Sequence, residues 1–253
     1  MKTLFLNCVL FTLKDMPVSE NKYVRIFNIW LSKLIQSDSL TPEDFLLISI
    51  DERTIEHLRI NPGILGSLLS FLKCPYAFKI FPAPASVLEG MKIRYAEHAF
   101  TQDVYMYIDI DILVLRTLKP LLEKTVPYQL YVCTEGTLRD PNYGADMSAS
   151  DDPGYTSGIF MATAPYVQKL LSTKVLEVYG NKSYYSQDQP YYNKAVYMIK
   201  HNNLLLTPVT SFNGHGYNKD STVFFNCGGN VADGEVHLSK IVDINCLINV
   251  GVF

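Results

Sequence analysis

From Thr3 to Ile108, apolar runs of strand length alternate with segments of helical periodicity, and this restricts the fold more than any other feature. "LFLNCVLFTL" reads as a first strand over Thr3 to Leu10. In "NKYVRIFNIWLSKLIQ" (21–36), Tyr23, Ile26, Phe27, Trp30, Leu31 and Leu34 recur at helical spacing. "FLLISID" (45–51) is a strand ending in Asp51. "ERTIEHL" and "GILGSLLSFLK" are short helices, the second after Pro62. "YAFKIF" (76–81) is a strand and "ASVLEGMKIRYAEHAF" (85–100) an amphipathic helix, with Val87, Leu88, Met91, Tyr95 and Ala99 on one side. Strands separated by helices predict an α/β fold with a largely parallel, Rossmann-like sheet. Past residue 120 the pattern loosens. "YQLYVCTE" (128–135) and "GIFMAT" (158–163) read as strands. They flank a long polar loop, Asp140 to Tyr155, of the kind that closes over or borders a site. A helix follows in "APYVQKLLSTKVLEVYG", another in "SQDQPYYNKAV", and the tail holds short strands with Gly-rich turns. No linker or repeat appears, so 1–253 reads as a single domain. Its more regular half is 1–115 and its looser half 116–253.

Composition excludes several classes. The chain has 253 residues, 48% hydrophobic and 19% charged, which suits a packed core and not a disordered chain. A net charge of −3 without a basic tract argues against duplex nucleic acid as a partner. No run reaches the ~18 apolar residues of a membrane span. The N-terminal stretch imitates a secretion signal, but Asn7 interrupts it and no small-x-small cleavage site follows. A core strand is the better reading. The cysteines (8, 74, 133, 227 and 246) are odd in number and form no Cys-x-x-Cys, which predicts reduced thiols and a cytoplasmic setting. The 17 tyrosines outnumber the single tryptophan. Each offers a flat apolar face with a hydroxyl, suited to core packing and to sugars or bases.

"VYMYIDIDILVLRTL" (104–118) carries the chemistry. Asp109 and Asp111 interrupt an apolar run at the carboxyl end of a strand, the end where open α/β sheets bind ligands. On a continuing strand both would face one side. Two hard carboxylates there suit Mg²⁺ or Mn²⁺ shared with phosphate oxygens; the bland alternative is a pair capping neighbouring turns.

"YIDIDILVL", after "GMKIRYAEHAF", resembles the Asp-x-Asp segment of A-fold glycosyltransferases, nearest the glycogenin and bacterial galactosyltransferase-like family 8. Three further stretches fall in that family's order: "YTSGIFMATAP" (155–165), with Thr-Ser-Gly where Asn-Ser-Gly is usual, "YYSQDQPYYNKAV" (184–196), and "GEVHLSKI" (234–241). The resemblance implies a single-domain A-type fold, with 1–115 as nucleotide-binding half and 116–253 as acceptor and catalytic half, and a metal-dependent transferase. It would move sugar from a nucleotide-diphosphate donor, a UDP-sugar, to a glycan or glycoprotein acceptor with retention. It implies Asp109, Asp111 and His237 as ligands of Mn²⁺ or Mg²⁺, and Asp188 and Gln189 at the reacting carbon. It puts Phe11, Thr12 and Asp51 near base or ribose, and Lys92 and Arg94 towards phosphate or sugar. Here His237 is followed by "LSKIVDIN" and not by the family's Gly and Lys-Pro-Trp, which leaves Lys240 as substitute for the phosphate-binding lysine. Each assignment has a plain counterpart: a strand histidine, a helix cap at Asp188, a solvated helix face at Lys92 and Arg94. The other functions in view are a sugar-nucleotide pyrophosphorylase, which would carry a Gly-, Arg- and Lys-rich loop after its first strand, an Asp-x-Asp phosphohydrolase, whose pair normally follows the first strand, and a non-catalytic carbohydrate-binding relative.

Overall fold

A computed structural model describes residues 1–63, 65–141, 143–144, 152–182, 184, 187–201, 206–208, 212–213 and 224–226. Its strands are β1 (Leu4–Leu10), β2 (Phe45–Asp51), β3 (Tyr76–Phe81), β4 (Val104–Ile108), β5 (Ile112–Val114), β6 (Leu130–Thr137), β7 (Pro153–Ala162), β8 (Leu206–Pro208), β9 (Phe212–Asn213) and β10 (Phe224–Asn226). The helices are α1 (Lys22–Gln36), α2 (Glu52–Ile60), α3 (Leu65–Ser70), α4 (Val87–Lys92), α5 (Lys119–Glu123), α6 (Pro165–Val178) and α7 (Gln189–His201).

The central sheet runs in the order β3-β2-β1-β4-β7-β6-β8. The pairs β3–β2, β2–β1 and β1–β4 are parallel, whereas β7 is antiparallel to both β4 and β6. The expected parallel first half and mixed second half are therefore both present, in one continuous sheet. A small second sheet holds β5, β10 and β9. Strand alternation divides the core. Leu4, Leu6, Cys8, Leu46, Ile48, Val104 and Met106 face the side packed by α1, α2 and α3 through Phe27, Trp30, Leu34, Ile55 and Leu68. Phe5, Val9, Leu47, Tyr105 and Tyr107 face the opposite side, packed by α6 and α7 through Val167, Leu171, Tyr192 and Val196. Because both faces are covered, β1 is buried along its whole length. Asn7, the one polar residue in that strand, donates to the Tyr105 hydroxyl at 3.0 Å and accepts from Ser49 at 3.3 Å, so its burial is satisfied across β1, β2 and β4. Cys8, Cys74 and Cys133 are buried and form no disulfide. Among the described residues no helix is long and apolar enough to cross a membrane.

Two expected boundaries move. The helix expected over 85–100 stops at Lys92 and continues only as a 3-10 turn, Ile93–Tyr95. That turn winds at about three residues per turn, not 3.6, which carries Arg94 into the core together with Tyr95. β7 begins at Pro153, earlier than expected, and absorbs the end of the polar loop. Residues 142 and 145–151 of that loop lie outside the described residues.

Strand order reverses between β1 and β4: the chain steps outward to β2 and β3, then returns to the other side of β1. The carboxyl ends of β1 and β4 therefore flank the switch point where such sheets bind ligands. Phe11 and Thr12 follow β1, and Asp109 follows β4. Asp51, expected near base or ribose, is instead fully buried and holds the fold together. Its Oδ1 caps α2 by accepting from Arg53 N and Thr54 N, and its Oδ2 accepts from Thr12 N at 2.8 Å. Asp51→Ala should lower unfolding free energy by about 2 kcal/mol, because it orphans buried donors. Urea denaturation checks this, and an unchanged midpoint would contradict it.

Candidate active site

The polypeptide turns sharply at the end of β4. Asp109 N donates to Gly158 O of β7 at 2.8 Å, and Ile112 N closes the turn on Asp109 O at 3.0 Å. Asp109 and Asp111 thus belong to a tight turn between β4 and β5, not to a continuing strand. The same-face argument from strand alternation does not apply. They are nonetheless near enough for each carboxylate to matter to the other: Asp111 pushes the Asp109 carboxyl up.

Arg94 organises the rest. Its side chain is 2% exposed and its Nη2 lies 3.2 Å from Asp109 Oδ1. Its Nη1 lies 3.6 Å from Asp188 Oδ2 and donates to Ser157 Oγ at 3.0 Å. The guanidinium sits 5.3 Å from the centre of the Tyr107 ring and contacts the Met91 sulfur. Burial works against its charge, and Asp109 and Asp188 more than offset that, holding its pKa above the ordinary arginine value. Burial pushes the Asp109 carboxyl up to about 7, against the pull of Arg94 and a hydrogen bond from the Tyr107 hydroxyl. Burial also raises Asp111, again opposed by Arg94. Three carboxylates thus face one cation, an excess of negative charge in a half-dry pocket.

Asp188 enters from the other half of the chain. It immediately precedes α7, its carbonyl accepting from Tyr191 N and Tyr192 N, and its Oδ2 accepts from the Tyr95 hydroxyl at 2.5 Å. Its carboxylate is thus engaged by Tyr95 and Arg94. Gln187 precedes it at φ 56°, a left-handed backbone that a non-glycine residue rarely adopts. The Gln189 Oε1 accepts from Ser157 N at 3.1 Å. Asn193 ties α7 to β7 through both backbone groups of Tyr155, at 2.8 Å each. At Gly158 a Cβ would stand 2.8 Å from Asp109 Oδ2, so any larger residue would displace that carboxylate.

The remaining expected residues differ in exposure. Thr12 is buried, its hydroxyl shared with Thr54 and Asn21 at 2.7 Å. Phe11 is half-buried and its ring fills the space beside Gly90. Lys92 is exposed, 5.7 Å from the Tyr179 ring centre, so it and Arg94 do not share a role. His237 and Lys240 lie outside the described residues. Among those described, no three His, Cys, Asp or Glu side chains converge as a closed metal site. Asp109 and Asp111 still fit a hard divalent ion: they are oxygen donors held partly dry, and Gly158 leaves room at Asp109 Oδ2. Sequence reasoning missed Tyr95, Ser157 and Asn193 as parts of the site. The "YTSG" segment pointed to Ser157; no signal marked Asn193.

No family model matches the chain, and no curated protein matches it in sequence. Solved structures do resemble it. Mouse xyloside xylosyltransferase 1, in its apo form, superposes with a TM-score of 0.53 at 13% identity, over 90% of this chain and 98% of that one. The apo structure of WbbM, a bifunctional glycosyltransferase, gives 0.55 at 14% identity, over 87% of this chain and 41% of the longer one. A putative glucose-1-phosphate thymidylyltransferase from Bacillus anthracis, in complex with a sucrose, gives 0.53 at 14% identity, over 93% and 94%. At such identities the likeness establishes architecture: the chain has the A-type glycosyltransferase fold, a sheet also found in a nucleotidyltransferase.

The raised Asp109 carboxyl has a consequence for stability. Its proton is kept to about pH 7 in the folded, metal-free protein but released near the ordinary value of 3.8 on unfolding. Stability from this group is therefore full at low pH and lost as pH rises towards 7. Asp109→Asn should lessen the fall in unfolding free energy between pH 5 and pH 7 by about 2 kcal/mol. Equal falls in mutant and wild type, measured with chelator present, would contradict it.

Proposed function

We propose that this protein is a metal-dependent glycosyltransferase that uses a nucleotide-diphosphate sugar, a UDP-sugar by family resemblance, with a glycan or glycoprotein as acceptor. The observation that carries the reading is the bridge from Asp109 through Arg94 to Asp188 beside the switch point of an A-type fold. It joins the Asp-x-Asp turn of residues 1–115 to the Asp-Gln helix start of residues 116–253, the division expected for donor and acceptor halves.

In this proposal Asp109 and Asp111 hold Mn²⁺ or Mg²⁺. His237 is a further ligand by resemblance, and Lys240 stands by the phosphates. The ion supplies charge stabilisation to the diphosphate leaving group. The buried Arg94 holds Asp109 and Asp188 fixed relative to each other and opposes the upward push of burial on Asp109. Asp188, held by Arg94 and by Tyr95, accepts from sugar hydroxyls. Gln189 stands beneath the anomeric carbon. Its carbonyl oxygen is occupied by Ser157 N–H, which disfavours it as a nucleophile. The amide therefore shields that face while the acceptor attacks from the leaving-group side, and configuration is retained. The Phe11 ring borders the base.

Asp109→Asn or Asp111→Asn should nearly abolish transfer with the fold intact. Full activity of either mutant in chelator would defeat the metal assignment. Asp188→Ala should reduce turnover at least ~100-fold, on the scale of one lost transition-state contact. Gln189→Ala should cost less. Both should still bind nucleoside diphosphate with Mn²⁺ in a thermal-shift assay. If Asp188→Ala lost nucleotide affinity and kept turnover at saturation, Asp188 would belong to the nucleotide site.

The nucleotidyltransferase reading has one observation in its favour, the thymidylyltransferase neighbour. Against it, "TLKDMPVSEN" after β1 lacks the Gly-, Arg- and Lys-rich loop, and its last part forms a 3-10 turn, Val18–Glu20, before α1.

A further inference from the structure

At the far end of β7 from Asp109, two tyrosines stand together on the surface. Tyr128 is 62% exposed and Tyr166 51% exposed, with ring centres 5.8 Å apart. Val126 beside them in sequence is 56% exposed. Scattered apolar residues on a surface need no explanation. This pair does, because of its backbone. Tyr128 has φ 63°, the left-handed region that a bulky side chain adopts only under compulsion.

The other described non-glycine residues with positive φ are Asp38, a type that tolerates it, and Gln187, which abuts Asp188. At Tyr128 the compulsion is a set of hydrogen bonds on either side. Thr163 N donates to Gln129 O at 3.0 Å, and Gln129 N donates to Thr163 Oγ1 at 2.7 Å. Thr163 Oγ1 in turn donates to Val126 O, and Val126 N donates to the Tyr131 hydroxyl, each at 2.7 Å. A glycine would satisfy the same turn without strain. The chain places there a residue whose ring buries little and packs chiefly on another exposed ring.

We propose that Tyr128 and Tyr166 form a binding platform for a neutral glycan chain, remote from the reacting centre. A tyrosine ring offers a rigid apolar face to the C–H side of a sugar, and its hydroxyl serves the sugar's hydroxyls. The size of the patch selects this occupant. A stable protein interface needs about 800 Å² and about 20–30 residues per partner. Three exposed apolar side chains match one or two sugar rings instead. Position adds to the assignment. Gly158, against Asp109, precedes Thr163 by about 15 Å of extended strand. A chain held at Tyr128 would have to be several sugars long to reach the site, so the platform retains polymeric or branched glycans and leaves short acceptors unaffected. The choice of ligand rests on the glycosyl-transfer reading; the existence of a platform does not.

Native electrophoresis through gels cast with glycogen, soluble starch, a mixed-linkage β-glucan, galactan, mannan or xylan tests this, with UDP release from a UDP-sugar panel measured separately. At least one polymer should retard the wild type. Tyr128→Ala and Tyr166→Ala should each weaken that retardation at least tenfold, with UDP release unchanged. Tyr128→Gly should also lose retardation while its thermal midpoint stays the same or rises, an outcome a purely structural tyrosine would not give. No retardation by any polymer, or retardation that survives both alanine variants, overturns the platform and leaves the transferase reading standing. Retardation dependent on Tyr128 without any UDP release keeps the platform and removes the transferase. A dimer that forms with concentration and is lost in Tyr128→Ala would assign the patch to a second copy and overturn the proposal.

Discussion

The site depends on one buried guanidinium. Arg94 lies between Asp109 and Asp188. Without it, carboxylates from distant parts of the chain would meet in a partly dry crevice and repel. Burial already raises Asp109 and Asp111 against the pull of Arg94, and its loss would raise both further. With it, two of them stay near each other and Asp109 is poised at about 7. Such a balance is costly to stability, and it persists because the surrounding backbone leaves Arg94 no alternative: the 3-10 turn buries it, and Tyr107, Ser157 and Met91 fix its plane. A lysine is no equivalent: Arg94 reaches Asp109 with one terminal nitrogen and Asp188 and Ser157 with the other, whereas an ammonium offers all its donors from one atom.

The fold supplies the meeting point by topology. β4 returns beside β1 after the excursion to β2 and β3, which opens a crevice at their carboxyl ends. β7 then enters antiparallel to β4, so its Ser157 and Gly158 reach the level of Asp109 from the opposite direction. Gly158 allows the carboxylate to approach, and Ser157 holds both Arg94 and Gln189. α7 is docked on β7 by Asn193, which sets Asp188 opposite the turn. Each of these is a short-range constraint, yet together they join residues far apart in sequence.

Much of the architecture was legible in the sequence because strand and helix periodicities act locally. β1, α1, β2, β3 and β4 fall where apolar spacing puts them. The failures are equally physical. Periodicity continued the helix before β4 past Lys92, since nothing local announces a 3-10 turn; Arg94 turns inward only because acids await it there. Strand alternation paired Asp109 with Asp111 on one face, but the chain turns between them. Asp51 ends a strand at the right place for a ligand and is instead occupied by α2 and Thr12. Asn193 had no signal, since its partners are backbone atoms of a strand far away in sequence. The candidate site emerged from the order of its motifs, and among the described residues the fold explains it: the turn after β4, Ser157 and Gly158 of β7 and the start of α7 meet beside Arg94.

The central claim is that this crevice cleaves the bond between sugar and diphosphate, in the A-type fold it shares with a thymidylyltransferase. ³¹P nuclear magnetic resonance of nucleotide sugars incubated with the protein and Mn²⁺, with and without added pyrophosphate, distinguishes the two chemistries directly. Cleavage to a nucleoside diphosphate, independent of pyrophosphate and lost in Asp109→Asn, is the predicted result. Formation of a nucleoside triphosphate and a sugar 1-phosphate only when pyrophosphate is present would contradict it.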